Sequence, residues 1–410
     1  MRIVVAAAVL TVLALSSAAW AAEGAAAPAA SAPAAGLPRV FVLDAAMLAA
    51  RRDRARGGDK ALAEAVKDLA ASADKALKAG PFSVMDKATV PDSGDKHDYM
   101  SMGPYWWPDP AKPDGKPYIR RDGEVNPEST KFDRGAMNLM GEAVEVLAQA
   151  YYFTGDERYA GRAAVLLRAW FLDPATRMNP HLNYGQAVPG RTIGRGTGLI
   201  ETMALIGVVD AVGLLAGSKA WPEADQKALV TWFDTFLTWM LESKIGRDEA
   251  AASNNHGTWY VAQVASFGLF VGKPDVAKKI LSDARSRIDR QIEPDGRQPL
   301  ELERTKSWGY SSMNLRGWFT AALLGDRVGV DLWTHLSKKG GSLRKALDFL
   351  LPFATGDAKW THKQIAEFKG DLLAWTLRQA AVKFGEKKYA EAAVRADPKH
   401  AQWGRVLMEP

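Results

Sequence analysis

Cysteine is absent from the 410 residues of this chain, and histidine occurs only six times. Without cysteine, the protein can use neither disulfide bonds nor thiolate metal ligands. The histidines, at positions 97, 181, 256, 335, 362 and 400, form no closely spaced pair of the HxxH kind. The sequence therefore predicts a protein that needs no metal and no other cofactor, stabilised by its hydrophobic core alone.

Long apolar runs free of charge are confined to the N-terminus. Arg2, the apolar stretch 3–15 and Ala19-Trp20-Ala21 have the three parts of a cleavable export signal. The run is too short to span a bilayer, so we expect residues 1–21 to be removed and no stable membrane insertion afterwards. Residues 22–39, rich in alanine and proline, are expected to form a flexible tether. The mature protein is predicted to be periplasmic or secreted.

An excess of charge of one sign is nearly absent as well. The formal net charge is +6, and removal of Arg2 with the signal would leave 6 − 1 = +5. This mild excess would help to attract a polyanion, but on a domain of this size it is weak support. No basic run with interleaved aromatic residues is present, which argues against nucleic acid as a partner. Nothing in the sequence indicates an oligomeric state.

Segments that alternate apolar and polar residues, as strands do, are also lacking. From about Leu43 the apolar residues recur with helical spacing. Helices are predicted at 44–56, 59–78, 131–154, 157–171, 196–216, 223–243, 255–271, 274–291, 312–324, 342–354, 362–383 and 386–396. Gly155, Gly272 and Gly385 each precede a polar turn and a new helix, as C-terminal caps do. This repeat predicts an all-α protein of stacked antiparallel helix pairs, either an open solenoid or a closed α/α toroid.

Two long segments without helical spacing, at about 80–130 and 173–195, interrupt the helices. They are rich in aromatic, amide and basic side chains, which suit a sugar-binding cleft because rings stack on sugar faces and guanidinium groups bind carboxylates. The alternative is that the tryptophans only anchor the loop to the core. The residues predicted to bind substrate here are Lys96, Tyr99, Tyr105, Trp106, Trp107, Tyr184, Gln186 and Arg195.

The stretch from Ser253 to Tyr260 concentrates two amides, an imidazole and two aromatic rings at the start of a predicted helix. Ser253 or Asn254 can cap this helix, which places Asn255 and His256 in its first turn, where the helix dipole favours anions. An amide beside an imidazole suits a site that binds a carboxylate and moves a proton. Glu249 lies seven residues before His256 and could orient the imidazole. We expect instead that Glu249 is a solvated carboxylate at the end of a helix.

Three motifs in this order, DYMSMGPYWWPDP (98–110), NNHGTWY (254–260) and ELERTKSWGY (301–310), resemble the alginate lyase superfamily. The resemblance runs from about 96 to 333. It implies an incomplete (α/α)n toroid of antiparallel helix pairs over 40–410, with long loops over a central cleft. It also implies β-elimination on a uronic-acid polymer, such as alginate or glucuronan. The predicted partner is therefore an anionic polysaccharide.

The resemblance further implies the roles of individual residues. Asn255 and His256 neutralise the sugar carboxylate with help from Arg304, which stabilises an enolate-like intermediate. Tyr310 transfers the proton, and Asn254, Glu249 and Glu301 are expected among the residues that bind substrate. Because a phenol has a pKa of about 10, Tyr310 needs cationic neighbours to act as a base. Arg304 and Tyr310 are six residues apart and would not share a face of a continuous helix, but a turn at Gly309 could bring them together.

Two alternatives remain open at this stage. A toroid glycoside hydrolase would need a pair of carboxylic groups, for which Asp98, Asp295, Glu301 and Glu303 are available. A periplasmic glycan-binding protein without turnover would have similar loops, but the tyrosine would be dispensable. The lyase is ranked above both because only the lyase accounts for Asn255, His256 and Tyr310 together.

Overall fold

The computed structural model describes residues 36–398 and 404–408. The predicted export signal and nearly all of the predicted tether lie outside these residues. The described residues belong to one compact unit that spans 33–410. The limits of the predicted domain, at 40 and 410, remain a prediction.

Helices make up most of the described chain, as predicted. The fourteen α-helices of this part are α1 (Ala45–Arg56), α2 (Lys60–Ala76), α3 (Asp133–Thr154), α4 (Glu157–Leu167), α5 (Leu205–Leu214), α6 (Glu223–Glu242), α7 (Lys244–Ala250), α8 (Asn255–Phe270), α9 (Pro274–Gln291), α10 (Pro299–Leu302), α11 (Ser307–Asp326), α12 (Leu343–Ala354), α13 (Ala374–Phe384) and α14 (Lys387–Ala396). Short 3₁₀-helices cover Val84–Asp86, Pro127–Lys131, Gly196–Ala204 and Gly370–Leu373, and π-helical turns cover Arg168–Leu172 and Gly404–Met408.

The all-α prediction is confirmed, with differences at several boundaries. The helix predicted at 312–324 begins earlier, at Ser307, and the one predicted from 362 begins only at Gly370. The chain at 363–365 is extended instead, because Lys306 and Gln364 form a β-bridge and Ile365 N–H donates to the Thr305 carbonyl. The short helices α7 and α10 were not predicted, because four to seven residues are too few to show a helical period.

In three helix pairs, a glycine cap lies between the two helices, at the positions that the sequence predicts. Gly155 and Gly385 end α3 and α13 in the left-handed region, with φ of 76° and 67°. Gly272 follows α8 with φ of 78°. Within each of the pairs α3/α4, α8/α9 and α13/α14, the two helices pack against each other. Helix α8 also packs on α5, α6, α7 and α11. The π-helical turn at Gly404–Met408 packs on α1 and α2, so the two ends of the described chain meet. These pairs form the predicted α/α toroid.

Helices α8 and α11 are the most completely buried of the long helices and lie in the interior of the toroid. Every residue of α8 except His256 is buried. In α11 the residues that are not buried are Gly309, Tyr310, Met313, Arg316 and the C-terminal Asp326. A helix that is surrounded by protein buries its side chains on every face. The accessible residues of α8 and of the N-terminal half of α11 therefore face a hollow region inside the toroid.

The two insertions contain the four short strands, which sequence reasoning missed. In the first, β2 (Trp106–Trp107) pairs antiparallel with β3 (Ile119–Arg120) to form a hairpin. Between the two insertions, β1 (Met100–Met102) pairs parallel with β4 (Tyr184–Ala187). Strands of two to four residues give too few alternations to be detected. The parallel pair ties the two insertions together at one end of the toroid.

The N-terminal segment 39–43 is bound to the core through Asp210 and lines an interior cavity with Val42 and Leu43. The Asp210 carboxylate accepts the backbone N–H groups of Phe41, Val42 and Leu43 at 2.6, 2.9 and 2.8 Å. Asp210 lies in the helical stretch Gly196–Leu214, which is long and apolar enough to cross a membrane by length and composition. Of its most apolar window, 67% is buried within the protein, and it contains two buried carboxylates, Glu201 and Asp210. These are properties of a core helix.

Candidate active site

A pocket of about 330 Å³ lies where the insertions meet the N-terminal end of α8 and the start of α11. Predicted site residues that line it are Tyr105, Trp106, Gln186, Arg195, Asn254, Asn255, His256, Arg304 and Tyr310. The structure therefore brings together side chains that are up to 205 positions apart in the chain. We refer to this cavity as the catalytic pocket.

The N-terminus of α8 is capped by Asn254, whose Oδ1 accepts the His256 N–H at 3.3 Å. Asn255 is fully buried and donates to Glu301 twice, from its backbone N–H at 2.7 Å and from Nδ2 at 2.6 Å. An amide nitrogen carries two hydrogens, so Nδ2 of Asn255 keeps one after this bond, and Nδ2 of Asn254 keeps both. The first turn of α8 thus presents amide donors to the pocket.

Glu301 does not contact the pocket, which corrects its assignment to substrate binding. It is 1% exposed and lies behind Asn255, which it holds in place. Burial raises the pKa of Glu301 to about 7, although the hydrogen bonds from Asn255 oppose that rise. Its role in the structure is to position the first turn of α8.

The His256 ring is oriented by Glu249, at 2.7 Å between Nδ1 and Oε1. Glu249 is 1% exposed, so the expectation of a solvated carboxylate is wrong, and so is its assignment to direct substrate contact. A carboxylate oxygen accepts, so Nδ1 carries the hydrogen and Nε2 is left as the free ring nitrogen. The helix α7, which sequence reasoning missed, supplies this carboxylate.

Tyr310 lies in the first turn of α11, with two partners at its ring. Its hydroxyl hydrogen-bonds the hydroxyl of Tyr105 at 2.8 Å, and the Arg304 guanidinium lies 3.8 Å from its ring centroid. The expected turn at Gly309 is wrong, because Gly309 is helical and the break comes before Ser307. Burial and the neighbouring Tyr105 raise the pKa of Tyr310 well above its ordinary value, while Arg304 acts in the opposite direction. Tyr310 is therefore a neutral phenol in this structure.

Arg304 is held in place by Asp122 from the first insertion. Two guanidinium nitrogens donate to the Asp122 carboxylate at 2.6 and 3.2 Å, and Thr305 adds a backbone N–H at 3.2 Å. Burial favours the neutral acid, but the hydrogen bonds from Arg304 and Thr305 hold the pKa of Asp122 well below its usual value. Gly123 follows with φ of 79°, and a side chain there would strike the Thr305 hydroxyl. Asp122 thus ties the insertion to the catalytic pocket.

Gln186 and Arg195 form a second fixed unit on the opposite wall. Arg195 donates to the carbonyl of Gln186 at 3.0 Å and to its side-chain oxygen at 2.8 Å. Gln186 has a positive φ of 48°, a backbone conformation that is rare outside glycine. Such strained conformations occur most often at functional sites. Burial and the nearby Arg120 lower the pKa of Arg195 to about 10. An anion in the pocket would relieve the crowding of positive charge.

Four arginines line the catalytic pocket, and none of its lining residues is an aspartate or a glutamate. Of these, Arg120, Arg134, Arg195 and Arg304, sequence reasoning assigned only the last two to the site. Arg120 lies in β3 opposite Trp106, and the basic pair Arg120-Arg121 in the first insertion was the available signal for it. Thr197 and Arg134 gave no such signal. Asp122 pairs with Arg304 and Arg120, and Glu201 lies 3.9 Å from Arg134, but neither acid lines the pocket. A lining that contains guanidinium groups and no carboxylate favours an anionic ligand. The paired carboxylates that a glycoside hydrolase needs are missing from this pocket.

Four predicted residues lie away from the pocket. Tyr99 is fully buried and donates to Glu201 at 2.7 Å, so it cannot contact a ligand there. Trp107 stacks under Arg121 and donates to the Glu124 carbonyl at 3.0 Å, which makes it an anchor of the insertion.

The other two, Lys96 and Tyr184, are half-buried and do not line the pocket. The Lys96 carbonyl accepts a hydrogen bond from Lys87 at 2.7 Å, and Tyr184 pairs with Met100 in the parallel sheet. Among the described residues no group of three or more histidine, aspartate or glutamate side chains is arranged to hold a metal ion.

A helical toroid whose cleft holds arginines, an oriented histidine and a hydrogen-bonded pair of half-buried tyrosines is typical of a carbohydrate-active enzyme of the polysaccharide lyase class. The family profile for alginate lyases matches residues 83–360. An alginate lyase from Bacteroides ovatus has 41% sequence identity, with a TM-score of 0.87 over 90% of this chain and 99% of that chain. The chain belongs to the alginate lyase family, and it is a polysaccharide lyase.

More distant structures share the fold. Alginate lyase A1-III from Sphingomonas species A1 has 16% identity and a TM-score of 0.50, over 86% of this chain and 92% of that chain. A variant of alginate lyase A1-III complexed with a tetrasaccharide has 15% identity and a TM-score of 0.56, over 87% and 91%. No curated protein sequence matches this chain.

Proposed function

We propose that this protein cleaves a polymer of mannuronate or glucuronate, an alginate or a glucuronan, by β-elimination in the catalytic pocket. The observation that carries the proposal is the pocket itself, where four arginines and the first turn of α8 surround the Tyr310 ring. Relatives of this fold are described as alginate lyases, one of them complexed with a tetrasaccharide. Both accord with an acidic oligosaccharide as ligand.

The proton at C5 of a uronate is weakly acidic while the adjacent carboxylate is charged. Donors from His256, Arg304 and the amides at the start of α8 would neutralise that carboxylate and stabilise the enolate-like intermediate, as an oxyanion hole does. Glu249 keeps the hydrogen of His256 on Nδ1, so Nε2 donates toward substrate only in the protonated ring. Asp122 keeps the guanidinium of Arg304 over Tyr310.

Tyr310 is the proposed proton-transfer residue. As a neutral phenol it can donate to the departing O4, which completes the elimination. To accept the C5 proton first, Tyr310 must be a phenolate whose own proton has gone to solvent, and the Tyr105 hydroxyl at 2.8 Å can then donate to the phenolate oxygen. The proton taken from C5 is the one passed to O4, which regenerates the phenolate. Arg304 favours the resulting phenolate. One residue can fill both roles only if H5 and O4 leave from the same face of the ring, as they do in mannuronate and glucuronate.

The test is a Tyr310→Phe variant assayed by ultraviolet absorbance of the new C4–C5 double bond on polymannuronate, polyguluronate and glucuronan. We expect wild-type activity on polymannuronate or glucuronan and at least a 10²-fold loss in the variant, the usual contribution of general acid–base catalysis. Tyr118→Phe is the matched control, because its hydroxyl bonds Glu128 outside the pocket.

Near wild-type turnover by folded Tyr310→Phe would overturn the assignment of the proton-transfer residue. Chain cleavage that yields reducing ends without the absorbance would instead identify a hydrolase. Preference for polyguluronate would contradict the single-tyrosine scheme.

We also propose that the protein acts in the periplasm or outside the cell, after removal of residues 1–21. The support is the basic, apolar and small-residue pattern of that segment. Sequencing the N-terminus of protein recovered from the periplasmic fraction or the medium tests this. A start at Ala22 is expected, and retention of Met1 would contradict it.

A further inference from the structure

A second and larger cavity, of about 590 Å³, adjoins the catalytic pocket inside the toroid. Both cavities are lined by Arg134, Met203 and Met313, which therefore lie where the two cavities meet. The far end is lined by Leu43 and Trp375. We call this cavity the inner chamber.

The accessible stripe of α11 runs from one cavity into the other. Tyr310 lines the catalytic pocket, Met313 lines both cavities, and Arg316 lines the inner chamber. These positions are three residues apart and share one face of the helix. Helix α3 presents a parallel polar face, since Arg134, Glu145 and other polar residues of that helix also line the chamber. The two cavities are thus successive parts of one polar interior.

Two charged side chains in the inner chamber have no hydrogen-bond partner among the described residues. The Arg316 guanidinium lies 5.1 Å from the Trp375 ring centroid, and the Glu145 carboxylate lies against the backbone of Gly207. Arg316 is accessible although it lies inside the toroid, because it faces the chamber. Burial lowers the pKa of Arg316 and raises that of Glu145 to about 7, while the attraction between these two charges opposes both shifts. Neither group is used by the chemistry proposed for the catalytic pocket.

The chamber wall also contains buried polar atoms without partners among the described residues. They are Oε1 of Gln149, Nε1 of Trp259 and Oγ of Ser312; Oε1 of Glu201 likewise accepts no hydrogen bond, although it lies 3.9 Å from Arg134. Trp259, Ser312 and Glu201 are 6%, 2% and 3% exposed. Buried polar atoms are normally satisfied, so such a group around one cavity indicates a hydrated or polar occupant.

The chemistry of the wall restricts the occupant. An apolar molecule would leave these polar groups unsatisfied, and a cation would face Arg134 and Arg316. A multiply charged anion would be repelled by Glu145 whenever that carboxyl is ionised. A molecule with one carboxylate and several hydroxyls matches the set, because a guanidinium binds the carboxylate while carboxyl, amide and indole groups bind hydroxyls. A uronate unit has this composition.

We propose that the inner chamber binds the terminal uronate unit of the polymer, with Arg316 as the partner of its carboxylate. This inference rests on the proposed function. A chain whose end occupies the chamber is cut next to Tyr310 at a fixed distance from that end. The enzyme then releases short unsaturated products of constant length, rather than cutting the chain at random.

The experiment follows product length and solution viscosity during digestion of polymannuronate and glucuronan. We expect one short product from the first time points, with viscosity falling slowly. Arg316→Gln removes the charge, and Ala204→Phe fills the chamber while both charged groups remain. Each is expected to raise KM for the polymer roughly tenfold or more, the effect of losing a charge-assisted hydrogen bond. Arg285→Gln, on the outer surface beside Asp331, is the matched control and should behave as wild type.

A binding measurement separates failure of this inference from failure of the proposed function. Calorimetric titration of the mannuronate trisaccharide into Tyr310→Phe, with and without Arg316→Gln, measures chamber binding without turnover. Loss of affinity only in the double variant supports the chamber site. Random product lengths from wild type, or an affinity unchanged by Arg316→Gln and Ala204→Phe in folded protein, would overturn it. Absence of unsaturated product from every polymer would refute the proposed function. In that case, the titration alone decides whether the inner chamber binds a uronate.

Discussion

At the scale of single residues, the catalytic pocket depends on side chains that act through others. Glu249 fixes the ring of His256, Glu301 fixes Asn255, and Asp122 fixes Arg304. Each is an acidic group whose partner lines the pocket while the acid itself does not. The pocket therefore keeps positive groups toward the ligand and places the negative groups that orient them behind.

Asp122→Asn tests this arrangement for Arg304. The variant keeps the size of the side chain but loses the charge-assisted bonds, which are typically worth about 1.5–3 kcal/mol. Since Arg304 would then move freely over Tyr310, we expect kcat to fall roughly tenfold or more, with a smaller change in KM. Asp114→Asn, on the exposed part of the same insertion, is the control.

The pH dependence of stability checks the same variant independently of activity. The folded state lowers the pKa of Asp122, so its stabilising effect is present above the ordinary aspartate value and is lost as the pH falls through the lowered pKa. The difference in unfolding free energy between wild type and Asp122→Asn should therefore shrink on acidification below about pH 4. An unchanged kcat together with a constant difference would show that Asp122 does not position Arg304.

At the scale of elements, the hairpin of β2 and β3 separates two adjacent tryptophans by role. Trp106 lines the catalytic pocket, with Arg191 and Arg195 at 5.2 and 5.6 Å from its ring centroid. Trp107 packs within the insertion under Arg121. Neighbouring residues of a strand point to opposite faces, which explains the difference.

Trp106→Ala is accordingly expected to raise KM for the polymer several-fold, because a ring-stacking contact worth about 0.5–1.5 kcal/mol is removed. Trp107→Ala should leave KM closer to wild type and instead make the insertion more sensitive to limited proteolysis. Steady-state kinetics and a protease time course on both variants measure the two effects. Equal KM values for the two variants would contradict the division.

The N-terminal segment is a second element whose position rests on few contacts. Asp210 accepts three of its backbone N–H groups, and Arg327 donates to the carbonyls of Phe41 and Leu43 at 2.9 and 2.7 Å. In Asp210→Asn, the side-chain amide nitrogen would face one or more of these backbone N–H groups, and two hydrogen-bond donors cannot pair with each other. We expect a loss of about 2 kcal/mol in the free energy of unfolding, seen as a lower Tm. Asp283→Asn, in an exposed pair with Lys279, should leave Tm nearly unchanged. An equal Tm for Asp210→Asn would show that the segment does not stabilise the toroid.

At the scale of the whole molecule, positive groups take the place that a cation would have at the site. The arginines of the catalytic pocket and His256 are the groups available to neutralise a substrate carboxylate. We therefore predict that a chelator leaves the rate of unsaturated-product formation unchanged. Activity that disappears with chelator and returns with calcium would contradict this prediction.

Much of the fold could be predicted from the chain because its signals are local. A helix shows its period within a dozen residues, and a glycine cap needs only the turn around it, as at Gly155 and Gly385. The cap at Asn254 and the place of His256 in the first turn of α8 were found for the same reason. Short elements such as α7, α10 and the four strands carry too little pattern to be detected.

The sequence by itself determined the helical class, the export pattern and the motif residues around His256 and Tyr310. Only the tertiary structure decided which side chains meet: Asp122 and Arg304 are 182 residues apart, and Tyr105 and Tyr310 are 205 apart. It also decided that Tyr99, Glu249 and Glu301 are buried, and that the face of α11 through Arg316 opens on a hollow interior. The physical reason is that burial and long-range pairing depend on how the helix pairs close around the toroid, and residue spacing along the chain does not encode that closure.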